Sequence, residues 1–77
     1  MIDPSYLTRL VDEIVSTKLK AARQGATWWR VGDLKGNPGR SVIILRTSAR
    51  AGYWRDMATG ERGNLADLVA RLEGIAA

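Results

Sequence analysis

The chain has 77 residues, 45% of them apolar, with a net charge of +4 and neither cysteine nor histidine. That length leaves no room for a second core, so residues 1–77 are expected to form a single domain held by apolar packing alone. A disulfide, a thiolate or imidazole metal site, and catalysis by a thiol or an imidazole are all excluded.

In chain order, Asp3-Pro4 reads as a helix start, with an acid at the N-cap and proline at the first helical position. Leu7, Leu10, Val11, Ile14, Val15 and Leu19 recur at helical spacing, Ala22 extends the stripe, and Gly25 stands where a terminating glycine belongs. Three strands are expected next. Thr27 to Val31 is aromatic and β-branched, and is followed by the turn formers Lys35-Gly36-Asn37-Pro38-Gly39. Ser41 to Arg46 carries four consecutive aliphatic residues, which predicts a central strand covered on both faces. After a loop over Thr47 to Gly52, Tyr53 to Met57 alternates as a third strand and Thr59 to Gly63 turns again. A closing helix is expected from Asn64 to Glu73, with Asp67 in the capping-box position and Gly74 as its stop. The order α-β-β-β-α predicts an α+β fold, a small three-stranded antiparallel sheet flanked by an N-terminal and a C-terminal helix.

No aliphatic run exceeds Val42 to Leu45, and Met1-Ile2-Asp3-Pro4 lacks the regions of a signal peptide. A soluble cytoplasmic protein is expected, with no membrane partner. Eight carboxylates remain for chemistry, but no spacing singles out a pair. Asp56 and Glu61 flank one turn and could hold magnesium through oxygen, or Asp56 bonds the turn backbone while Glu61 is exposed. No phosphate-loop motif is present. The expectation is a protein that is not an enzyme and takes no cofactor or metal.

The charge distribution is more informative. From Lys18 to Arg55 there are nine basic residues (Lys18, Lys20, Arg23, Arg30, Lys35, Arg40, Arg46, Arg50 and Arg55) against the single acid Asp33. The flanking segments are mildly acidic. A cationic centre of this kind suits phosphate or an acidic protein surface. For Lys18, Lys20 and Arg23 the dipole at a helix C-terminus is an equal explanation. If Trp29 and Trp54 fill the core, alternation sends Trp28 with Arg30, and Tyr53 with Arg55, to the other side of the sheet. Aromatic rings beside guanidinium groups would stack unpaired bases and hold phosphates. The alternative is a Trp28 half-buried under the first helix.

The string Trp29-Arg30-Val31-Gly32-Asp33, then Asn37-Pro38-Gly39-Arg40-Ser41, then Gly52 to Leu68 with Trp54, Asp56, Thr59, Gly60, Glu61 and Gly63, resembles a known pattern. It is similar to the zinc-less N-terminal domain of toprim (primase-like) proteins of alphaproteobacterial phages and plasmids. The resemblance covers residues 28–72. It implies a shared core at Trp29 and Trp54, a shared turn at Asp56, Thr59, Gly60 and Gly63, and DNA-contacting cations at Arg40 and Arg55. Asn64 and Ala66 depart from the pattern, replacing an acid and a leucine, and Arg30 stands where the family tends to be apolar. No toprim catalytic domain is present, so the resemblance implies a stand-alone module that does not itself prime synthesis. Two functions are therefore expected. One is a basic mobile-element module binding single-stranded or duplex DNA. The other is an inhibitor of the anti-CRISPR type, docking its cationic surface on an acidic groove of a host CRISPR effector complex and blocking target DNA. The site residues for either are Lys18, Lys20, Arg23, Trp28, Arg30, Lys35, Arg40, Arg46, Arg50, Tyr53 and Arg55.

Overall fold

A computed structural model describes residues 4–74; Asp3, the expected N-cap of the first helix, lies outside them. Helix α1 (Pro4–Lys18) is followed by β1 (Arg23–Gln24), β2 (Trp28–Val31), β3 (Val42–Leu45), β4 (Trp54–Asp56), β5 (Arg62–Gly63) and α2 (Leu65–Glu73). The strands form one five-stranded antiparallel meander in the order β1-β2-β3-β4-β5. The fold is α+β, but the expected three-stranded sheet is wrong: β1 and β5 extend it by one strand at each edge. Each has only two residues, too few for alternation to reveal.

The extra edge at β1 follows from where α1 ends. The apolar stripe runs on to Leu19, which is buried, but the helix stops at Lys18. A turn, with the Ala22 N–H donating to Leu19 O at 2.9 Å, reverses the chain into β1. Gly25 is therefore not a helix terminator. Its N–H donates to Trp28 O at 2.9 Å and closes the β1–β2 hairpin. At the far edge, the segment read as a turn supplies β5, which pairs Arg62 with Arg55 and Gly63 with Trp54.

Both helices lie on one side of the sheet. Val11, Val15 and Leu19 from the first helical segment and Leu68 from α2 join Trp29, Val31, Val42, Ile44, Ala51 and Trp54 in a single buried cluster. Asp56 also points inward, and its buried carboxylate is satisfied by the N–H groups of Ala58 (2.8 Å) and Thr59 (3.3 Å). α2 begins as the sequence indicates: Asn64 Oδ1 accepts from the Asp67 N–H, Asp67 Oδ2 accepts from the Asn64 N–H, and Gly74 ends the helix with φ +71°.

β3 is the central strand, as expected, but only one of its faces is buried. Val42 and Ile44 are in the core, whereas Ile43 and Leu45 point to the opposite side and are only half-buried. The expectation of two covered faces fails because neither helix crosses to that side. The four-residue aliphatic run thus leaves half of its side chains on an open surface.

Candidate nucleic-acid interface

Residues paired across antiparallel strands share a face, so the register lays out the open side of the sheet row by row. One row reads Arg23, Arg30, Ile43, Arg55, Arg62 across all five strands. At ~4.8 Å between strands, these positions span about 19 Å. The adjacent open row begins with Trp28 opposite Leu45 and continues to Tyr53, whose carbonyl accepts from the Leu45 N–H at 2.9 Å. Two residues of strand separate the rows, about 7 Å. A row with two arginines on each side of Ile43 therefore runs beside a row with Trp28 and Tyr53 on either side of Leu45.

Local chemistry aims these side chains outward. Burial of Trp29 (6% exposed) and Trp54 (4% exposed) forces their neighbours Trp28 (41%) and Tyr53 (47%) to the other side. Trp28 is thus on the face remote from the first helix, not half-buried beneath it. Tyr53 follows a bulge, since Leu45 O accepts from the Gly52 N–H (2.8 Å) while its own N–H reaches Tyr53 O. Gly52 has φ +95°, and a Cβ there would lie 2.6 Å from Leu65 Cδ1, so only glycine fits this corner beneath the start of α2.

The open face carries no acid at any paired position, and none of its four row arginines forms an ion pair with a described residue. Arg30 lies with its guanidinium carbon 5.8 Å from the Trp28 ring centroid, a cation–π contact. Arg23 faces Arg30, and Arg62 faces Arg55. Two like-charge cross-strand pairs therefore work against the sheet that holds them. At the β1 edge a cleft of about 560 Å³ opens between Arg23, Trp28 and Arg30 on the strands and Pro38 to Arg40 on the β2–β3 loop.

Of the site residues expected from sequence, the structure gathers Arg23, Trp28, Arg30, Tyr53 and Arg55 on the open face and brings Arg40 to its edge. Lys20, Lys35 and Arg50 are exposed on turns outside it. Lys18 is on α1 and pairs with Glu73 of α2 at 3.4 Å. Arg46 belongs to the scaffold, and that placement corrects its assignment as a binding cation. It donates to both Asp12 oxygens (Nε 2.8 Å, Nη2 2.7 Å) and to the carbonyls of Gly25 (2.9 Å) and Ala26 (3.1 Å). Trp29 Nε1–H donates to the same carboxylate at 2.8 Å. The hydrogen bond from Arg46 holds the Asp12 carboxyl below its ordinary range, against an opposing effect of burial, and the Trp29 bond adds to the lowering.

Arg62 was missed because it sits in the acidic C-terminal segment, where net charge conceals it. Its place opposite Arg55 follows from the tight turn at Asp56–Glu61, where the Asp56 N–H donates to Glu61 O at 2.8 Å. Ile43 and Leu45 lie on the face of β3 that the aliphatic run predicts to be covered and that the structure leaves open. Asp56 binds the turn backbone, and Glu61 is not simply exposed: it accepts from Arg71 Nη2 at 2.6 Å, which lowers its pKa. Among the described residues no three acids come together as a metal cluster. No described helix is long and apolar enough to cross a membrane. Comparison with known proteins finds no matching family model, no matching curated protein and no matching solved structure.

Proposed function

We propose that this chain is a non-enzymatic nucleic-acid-binding module that lays a single strand across the open face of its sheet. The observation that carries the reading is the row Arg23, Arg30, Arg55, Arg62 running beside Trp28 and Tyr53. The guanidinium groups neutralise successive phosphates, and the rings provide stacking platforms for bases, which only an unpaired strand can offer. Descent from a primase-like N-terminal domain fits the same proposal, with Trp29 and Trp54 of the shared string in the core.

The test is fluorescence anisotropy of labelled single-stranded and duplex oligonucleotides against the wild type, Trp28→Ala and Tyr53→Ala. Single strands are expected to bind more tightly than duplex. Each aromatic truncation is expected to weaken single-strand binding by about 5- to 100-fold while leaving its salt dependence unchanged. Absence of binding at low salt would refute the reading. The same arginines would then be assigned to an acidic protein groove, as in an inhibitor of a CRISPR effector complex.

A further inference from the structure

The guanidinium row is not symmetric. Its β5 end has two arginines, Arg55 and Arg62. Its β1 end has Arg23 and Arg30 plus Arg40, delivered from the β2–β3 loop to the cleft that also holds the Trp28 ring. The loop is tied down to do this. Asp33 Oδ1 accepts from the N–H groups of Lys35 (2.9 Å) and Asn37 (3.2 Å), and Asp33 Oδ2 accepts from Asn37 Nδ2 (2.8 Å). The Gly32 N–H donates to Asn37 O at 2.8 Å. Gly32 and Gly39 then pass so closely that a Cβ on Gly39 would lie 2.7 Å from Gly32 Cα. These contacts hold Pro38 to Arg40 as one wall of the cleft, with Arg23 to Gly25 on another.

β1 is the edge strand, so the row ends in this cleft. An internal phosphodiester carries one negative charge, whereas a phosphate monoester carries ≈ −1.5 to −2 at neutral pH and offers three acceptor oxygens. Three arginines lining one cleft, together with Trp28, match the second group better than the first. The volume of about 560 Å³ is within the range of small-molecule sites. We propose that the cleft recognises the terminal nucleotide of a single strand by its phosphate monoester, with the end base against Trp28 and the phosphate among Arg23, Arg30 and Arg40. This rests on the proposed single-strand reading and sets the position of the strand on the sheet.

The test compares one single-stranded decamer in three forms, with a 5′-phosphate, with a 3′-phosphate, and with hydroxyls at both ends. Each is titrated against the wild type, Arg40→Gln and Arg62→Gln. One phosphorylated form is expected to bind the wild type about fivefold more tightly than the hydroxyl form, and which one identifies the end that is read. Arg40→Gln is expected to abolish that preference, read as the ratio of phosphorylated to hydroxyl affinity on the same variant. Arg62→Gln is expected to weaken all three forms alike and keep the preference. Equal binding of all three forms by the wild type, or a preference that survives Arg40→Gln, overturns the inference while leaving the proposed function standing. No binding of any form at low salt overturns both.

Discussion

Removing Arg23 and Arg62 together is expected to strengthen the fold and weaken its binding. Each faces another arginine across a strand pair, Arg23 against Arg30 and Arg62 against Arg55. A like-charge pair directly opposite on a sheet is unfavourable, and relieving one gains about 0.2–1 kcal/mol. The double variant Arg23→Gln/Arg62→Gln is therefore expected to melt roughly 2–16 °C above the wild type. Its binding changes in the opposite sense. Four row arginines neutralising four phosphates of a single strand give a slope of log affinity against log salt near ~−2.8, and two give ~−1.4. Between 50 and 200 mM salt the wild type would lose about 50-fold in affinity and the double variant only about 7-fold. Thermal unfolding followed by circular dichroism and anisotropy with a hydroxyl-ended decamer read the two quantities separately. An unchanged slope would show that these arginines do not contact phosphate. A lowered melting temperature would show that the cross-strand pairs are held by contacts other than those described, and the reasoning from register would fail.

Two further outcomes concern the scaffold. Asp12→Ala would leave the Arg46 guanidinium, 14% exposed, and the Trp29 indole N–H without their shared acceptor. The loss is expected to be about 2–4 kcal/mol, read as a fall in melting temperature; a loss below about 1 kcal/mol would refute the network's structural role. The depressed Asp12 pKa also sets a pH dependence. Because the folded value lies below the unfolded one, the stabilisation is complete above the ordinary carboxylate pKa of ~4 and is lost as pH falls through the folded value. Asp33 and Glu61 are lowered too, by hydrogen bonds from Asn37 and Arg71, and contribute with the same sign. Denaturant unfolding between pH 6 and 2 is expected to show a shallower acid loss in Asp12→Asn than in the wild type, and parallel profiles would refute the assignment.

Much of this face was legible in the sequence, and its gaps have local causes. Alternation about Trp29 and Trp54 was enough to send Trp28, Arg30, Tyr53 and Arg55 outward, because successive side chains of a strand point to opposite faces. The capping box at Asn64 and Asp67 was readable because its bonds are local. Register was not, since pairing Arg62 with Arg55 depends on a turn whose hydrogen bonds involve Asp56 and Glu61 rather than on any periodic pattern. Nor was the termination of α1, where burial of Leu19 and an immediate turn into β1 override a stripe that runs on to Ala22.

Arg46 shows how the same residue type is divided between scaffold and surface. From Val42 in the core, period two places Ile43 outward, Ile44 inward and Leu45 outward, and the Arg46 N–H continues the ladder by donating to Thr27 O at 2.8 Å. Parity therefore sends Arg46 to the helix side, where Asp12 waits on α1 and the carbonyls of the β1–β2 turn complete its bonds. Arg30 and Arg55, of opposite parity, lie on the open face on either side of Ile43, with Arg30 against the Trp28 ring. The Asp12–Arg46 pair also joins α1 to the β1–β2 hairpin and so holds the helix on the core side of the sheet. The inward arginine is bound to an acid and the outward ones are not, so Arg23, Arg30 and Arg55 of the central segment stand on the face that no helix covers with no ion pair to a described residue.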